Sequence, residues 1–215
     1  MSHDVTHFFS ERGPLERALG SYEPRPAQSG LAEAVADDLR AGDKLVAEAG
    51  TGTGKTLAYL MPALASGLKV VVSTATKNLQ EQILAKDLPL LEKALGRRFE
   101  VEVMKGRANY LCELRAERVL AQLRLPGMDT GALDAVRAWR ETTQTGDKSE
   151  LRALPDDAPL WRELSATREQ CIGRACPHYD RCWVTQMRRR AQVAELVVAN
   201  HHLYLADAAL RQELG

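Results

Sequence analysis

Ala49-Gly50-Thr51-Gly52-Thr53-Gly54-Lys55-Thr56 is the stretch on which the reading of the fold turns. Its alternating glycines let successive backbone N–H groups wrap a phosphate without a Cβ in the way. Lys55 is expected to reach the β and γ phosphates, and Thr56 to offer its hydroxyl to Mg²⁺. Ala49 stands where the first glycine of such a loop is usual. The motif belongs at a strand-to-helix junction, and the flanks supply both patterns. Lys44 to Glu48 reads as a short strand, and Lys55-Thr-Leu-Ala-Tyr-Leu-Met-Pro-Ala-Leu-Ala65 as a mostly apolar helix stopped by Gly67. Residues 49–56 are therefore the candidate site for a nucleoside triphosphate, with ATP the expected ligand.

Working outward, Pro26 can occupy a first helical turn, and Leu31, Val35 and Leu39 follow at helical spacing until Gly42. Val70-Val71-Val72 is a β-branched run such as a strand buried on both faces shows. Thr76 then caps a helix carrying Leu79, Ile83 and Leu84. Further strands are expected at Glu100 to Met104 and Leu196 to Ala199. Short buried strands alternating with helices predict an α/β fold, a parallel sheet covered on both sides. From Cys112 to about Arg190 the strand pattern gives way to helical stretches such as Leu133 to Trp139 and a polar linker, Thr142 to Glu150. That region reads as an insert, after which the sheet resumes.

Composition fits this picture. The 215 residues are 45% apolar and 27% charged, which excludes wholesale disorder and fibrous repeats. Formal net charge is zero, so attraction to nucleic acid has to come from local basic patches. The start, Met1-Ser-His-Asp-Val-Thr-His7, lacks a basic end followed by an apolar stretch, and no run approaches the ~18 apolar residues of a membrane span. A cytoplasmic protein with no membrane partner is expected.

Cys171, Cys176 and Cys182 fall within one polar, arginine-rich loop, and Cys112 lies at the start of the same insert. In a reducing compartment such a set points to metal more than to disulfides. Thiolates suit both iron–sulfur clusters and zinc, and the gaps differ from the Cys-x₂-Cys pairs of common zinc knuckles, so spacing leaves the metal open. Buried, inert thiols are the plain alternative. His178 and His201 are possible substitute ligands.

Five segments in order resemble the iron–sulfur helicases of the DinG/XPD family, and most closely its bacterial YoaA-like branch. They are Arg25-Pro-Ala-Gln28, Glu48 to Thr56 with its alanine-led helicase variety of the loop, Ser73-Thr-Ala-Thr-Lys-Asn-Leu-Gln80, Lys105-Gly-Arg-Ala-Asn-Tyr-Leu-Cys112 and Val198-Ala-Asn-His-His202. The resemblance implies a RecA-like motor of superfamily 2 that couples ATP hydrolysis to 5′-to-3′ movement on single-stranded or forked DNA, in repair or replication. It implies a [4Fe–4S] cluster on Cys112, Cys171, Cys176 and Cys182, and adenine recognition by Gln28 with Arg25 nearby. Ser73, Thr74 and Gln80 match the segment that touches the DNA backbone. Arg174, Arg181, Arg188, Arg189 and Arg190, with Tyr179 and Trp183, have the make-up of a groove that neutralises phosphates and stacks bases.

On this basis residues 1–104 are expected to open motor domain 1, 105–190 to form the helical cluster insert, and 191–215 to return to the motor. An ATP-driven motor also needs an Asp-Glu pair for Mg²⁺ and the attacking water. No Asp-Glu pair occurs in the sequence. In the family that box follows the segment matching Val198 to His202, so the chain is expected to be an N-terminal fragment that binds nucleotide without unwinding DNA. A non-catalytic module binding nucleotide, nucleic acid and metal, or another P-loop ATPase with a zinc insert, are the alternatives.

Overall fold

The structure, a computed structural model, describes residues 5–122, 130–155 and 157–214. The chain divides into two compact units, 1–103 with 193–215, and 104–192.

In the first unit, α1 (Val5–Phe8), α2 (Pro14–Leu19) and α3 (Pro26–Ala41) precede the glycine-rich loop, and α4 (Lys55–Ala65) follows it. Then come β1 (Val70–Thr74), α5 (Lys77–Gln82), a π-helical turn at Ile83–Asp87, α6 (Leu88–Leu95) and β2 (Val101–Met104). The sheet order is β1-β3-β2, where β3 is Leu196–Asn200, and β1 pairs with β3 in parallel from Val70 opposite Leu196 to Thr74 opposite Asn200. The expected α/β class with parallel pairing holds. β3 lies between two neighbours, which is why Leu196 to Ala199 can be an unbroken buried apolar run. Leu196, Val198, Val72, Leu60, Met61, Leu64, Leu91 and Phe8 share one core.

Local signals decide the helix ends. The Thr76 hydroxyl accepts the N–H of Leu79 and caps α5, while Gly42 ends α3 in a left-handed conformation (φ 74°) that only glycine adopts cheaply. Three expectations need correction. Lys44 to Glu48 forms no strand: it is exposed, with Val46 97% accessible, and pairs with no strand among the described residues. An extended run becomes a strand only through a partner ladder, and propensity cannot supply one. Val71 is 47% exposed, so β1 is buried on one face and not both, as an edge strand tolerates. Finally, α3 turns Gln28, Ala32 and Ala36 inward, with Leu31 only partly buried and Leu39 exposed. Small alanines let α3 pack closely, and this outweighs the larger side chains one position away. Leu79 on α5 is likewise exposed.

The second unit contains α7 (Glu113–Gln122), α8 (Thr130–Thr142), α9 (Pro159–Leu164) and α10 (Trp183–Val193), the last reaching the unit boundary; α11 (His201–Leu214) follows β3 in the first unit. Leu111, Ala116, Val136, Trp139, Trp161 and Leu164 form its main core, with the two indoles edge-to-face at 6.0 Å. The polar linker expected at Thr142 to Glu150 is a packed turn. The Glu150 carboxylate accepts the hydroxyls of Thr143 and Thr145 and, at 3.3 Å, the Trp139 indole N–H. Gly146 has φ 65° and lies so close to Trp183 that a Cβ would stand 2.2 Å from the ring.

Asp87, at the end of the π turn, is buried and accepts one hydrogen bond from the Gln82 amide at 3.3 Å. Burial raises its pKa, with Gln82 and Lys86 pulling the other way. A carboxyl whose folded pKa is raised contributes stability that is present below its unfolded pKa and lost as pH rises through the folded value. Asp87→Asn, which keeps an acceptor for Gln82 without the charge, is expected to raise the urea midpoint at neutral pH, with the gain shrinking toward about pH 4. An equal gain at both pH values would show that the charge is not the cause.

Candidate functional site

The glycine-rich loop in the first unit is shaped from within and from behind. Gly52 (φ 78°) and Gly54 (φ 81°) are left-handed, and Gly54 is the residue from which α4 starts. The Gly54 carbonyl accepts the N–H of Ala58 at 3.1 Å and the side-chain amide of Gln28 at 3.0 Å. A Cβ at Gly54 would lie 2.1 Å from the Gln28 nitrogen, so glycine is required here by contact as well as by φ. The Thr53 hydroxyl donates to the Gly50 carbonyl at 3.0 Å, and Arg25 donates to the Gly52 carbonyl at 2.6 Å. Thr51 at the loop tip is exposed.

Lys55 folds back over the loop, its Nζ 2.6 Å from both the Ala49 and the Gly50 carbonyl oxygens. The ammonium therefore sits in the mouth of the loop, held by two acceptors that a phosphate oxygen could replace. Thr56, half-buried, shares a hydrogen bond with the Tyr59 phenol, whose pKa burial raises. The first-turn N–H groups of α4 have no acceptor within the helix, and with the positive end of its dipole they make an arrangement that attracts an anion.

Gln28, expected at the base of a nucleotide, is 3% exposed and has both ends of its amide engaged. Its oxygen accepts the Tyr22 hydroxyl at 2.8 Å and its nitrogen holds Gly54. In this structure it props the loop, and Tyr22, which no local pattern singled out, orients it. Of the segment expected at the DNA backbone, Thr74 is buried and donates to the Thr76 carbonyl at 3.2 Å. Gln80 is 4% exposed, with its amide nitrogen lacking a partner among the described residues. Both point into the protein. Ser73 shares a proton with Nδ1 of His201 at 2.7 Å.

The second unit contains a cavity of about 560 Å³ lined by all four cysteines. None is disulfide-bonded and each is half-buried. Cys112 immediately precedes α7, and its own N–H donates to the Leu164 carbonyl at 2.9 Å. Burial pushes the Cys112 thiol up; the N–H groups of Arg115 and Leu114 pull it down, and Cys176 and Cys182 add to the upward push. Cys171, Cys176 and Cys182 arrive on tight turns, with Tyr179 N–H bonded to the Cys176 carbonyl at 3.0 Å and Cys182 N–H to that of Tyr179 at 3.3 Å.

Among the described residues, no three His, Cys, Asp or Glu side chains are grouped to hold a metal ion. All four thiols line one cavity, and thiolates suit zinc and iron–sulfur groups alike. His178 is no substitute ligand: Nε2 bonds Glu117 at 2.9 Å and Nδ1 accepts from Arg181 at 2.9 Å. His201 belongs to the first unit.

Arg107, Arg115, Arg118, Arg174, Arg188 and Arg189 line the same cavity against one carboxylate, Glu113. Some are engaged, Arg115 with Glu163 at 3.3 Å and Arg189 with Asp180 at 2.8 Å. Trp183 is not an open stacking face. Its indole N–H donates to Glu113 at 3.0 Å and its ring packs on Gly146 and the core. Tyr179 is half-buried at the cavity.

The sequence pattern of the DEAD/DEAH box helicases matches residues 26–120. The chain is 43% identical over 211 residues to the ATP-dependent DNA helicase YoaA of Haemophilus influenzae, covering 98% of this chain and 33% of that protein. It is 41% identical to YoaA of Escherichia coli, over 97% of this chain and 33% of the relative. The ATP-dependent helicase DinG of Mycobacterium tuberculosis is 38% identical, over 89% of this chain and 32% of DinG. The chain thus spans about a third of the length of these relatives. Residues 26–120 thus match the DEAD/DEAH box helicase pattern, and nearly the whole chain is similar to the corresponding third of YoaA and DinG.

Proposed function

We propose that this chain is the nucleotide-binding part of an ATP-dependent DNA helicase of the DinG/XPD type, with an iron–sulfur cluster in its second unit. The observation that carries it is the loop at the start of α4, where left-handed glycines, the helix N-terminus and the Lys55 ammonium meet. On this reading the β and γ phosphates of ATP displace the Ala49 and Gly50 carbonyls from Lys55, and Thr56 turns its hydroxyl to Mg²⁺. Gln28 and Arg25 keep the loop open to phosphate from behind, and either reaches adenine only by giving up its present partner.

Cys112, Cys171, Cys176 and Cys182 would hold the cluster, a [4Fe–4S] group that supplies a rigid, electron-accepting centre when bound. The shared cavity and its excess of arginine support that reading, because a thiolate-ligated cluster is anionic. Arg174 and Arg188, exposed at the cavity, are the side chains we assign to the phosphates of single-stranded or forked DNA, beside Tyr179. Movement is 5′-to-3′, the work is repair or replication, and the compartment is the cytoplasm. No helix among the described residues is long and apolar enough to cross a membrane. Residues 1–104 and 191–215 belong to the motor and 105–190 to the cluster insert.

Calorimetry with Mg-ATP is expected to show binding that Lys55→Ala weakens about 10- to 100-fold, the loss of one charge-assisted phosphate contact. Heat unchanged by that substitution would refute the loop assignment. Because the 215 residues contain no Asp-Glu pair, this chain should show no DNA-stimulated phosphate release; steady turnover abolished by Lys55→Ala would mean that another group positions the water. Purified without oxygen, it should carry iron and sulfide with broad visible absorption that any one of four Cys→Ser changes removes or diminishes. Zinc without iron would end the cluster assignment.

A further inference from the structure

The cysteine loop is tied to α7 by side chains that are not themselves thiols. Glu113 and Glu117 lie four residues apart on α7 and so share one face of the helix. Glu117 Oε2 is 2.9 Å from Nε2 of His178, which sits between Cys176 and Cys182 and is 7% exposed. Glu113, next to Cys112, accepts the indole N–H of Trp183, next to Cys182, at 3.0 Å. Arg140 from α8 bonds Glu113 at 2.6 Å and approaches Glu117 at 3.5 Å, so the two carboxylates are held by one guanidinium.

The protons at His178 follow from its neighbours. Arg181 can only donate, and its Nε is 2.9 Å from Nδ1, so Nδ1 accepts. Nε2 then carries the proton and donates to Glu117. A buried imidazole with both nitrogens committed has one orientation, and it fixes the backbone between Cys176 and Cys182. We propose that His178 and Glu117 are positioning residues for the four-thiol site: their hydrogen bond holds Cys176 and Cys182 toward Cys112 before any metal arrives. The inference rests on the cluster reading above and adds to it the groups that determine how firmly the cluster is kept. Side chains that orient metal ligands characteristically change retention when removed, by 10- to 100-fold.

The test uses this chain, loaded without oxygen. His178→Ala and Glu117→Ala should each release iron to a ferrous chelator roughly 10- to 100-fold faster than the parent, read from the loss of visible absorption. The double variant should be no faster than either single one, since both remove the same bond. His178→Gln, whose amide N–H can still reach Glu117, should restore most of the retention. In the metal-free parent, amide exchange in residues 171–182 should be slower than in Glu117→Ala, with α8 and the first unit unchanged. Single variants that keep iron as the parent does, effects that add in the double variant, or unaltered exchange would each overturn the clamp. A parent that binds no iron while Glu117→Ala still loosens residues 171–182 would sink the cluster reading and leave the clamp standing.

Discussion

The carbonyl oxygen of Gly54 is the point on which the glycine-rich loop depends. It belongs to the first turn of α4 through Ala58, and it is also gripped from α3 by Gln28. A helix start is normally free to fray. Here the Gln28 amide, steadied by the Tyr22 hydroxyl, fixes where α4 begins and therefore where its N–H groups point. The absence of a Cβ at residue 54 makes that approach possible. The rest follows from the fixed start: Gly52 and Gly54 can take left-handed backbone, and Lys55 swings into the mouth of the loop. The ammonium bonds two carbonyls, which a doubly charged oxygen cluster would outcompete.

A different kind of order prevails in the cysteine unit. Little regular structure lies between Ser165 and Trp183, only turns and a short 3-10 segment at Gly173–Ala175. Such a segment buries too little apolar surface to be held by hydrophobic packing alone. Polar contacts take over: a buried imidazole, two carboxylates on α7 and the arginines that pair with them. Buried polar groups of this sort are costly when unpaired and directional when paired, so they select one arrangement of the loop. The Trp139–Trp161 pair and the packed turn around Glu150 give the firm base from which α7 projects Cys112.

Several elements were legible from the residues because their causes are local. Gly42 ends α3, Thr76 caps α5, and Leu196 to Ala199 forms a strand with neighbours on both sides. The failures share one cause. Lys44 to Glu48 has strand-like residues but no partner among those described, and pairing is not a local property. The inward face of α3 is built on Gln28, Ala32 and Ala36 because close helix packing favours small side chains, against the larger Leu31 and Leu39. Trp183 looked like a stacking platform and is an anchor against Gly146; Thr74 and Gln80 looked like surface donors and are buried.

By itself, then, the sequence determined most of the alternation of strands and helices, the position of the glycine-rich loop and the presence of four thiols between Cys112 and Cys182. These depend on periodicity, on glycine and proline geometry and on residue identity, all of which act over a few positions. Only the tertiary structure decided that Gln28 and Tyr22 hold Gly54, that cysteines up to 70 residues apart, Cys112 and Cys182, share one cavity, and that Glu117 meets His178. Those are meetings of groups far apart along the chain. Their directions are set by packing and by buried hydrogen bonds, neither of which leaves a periodic trace.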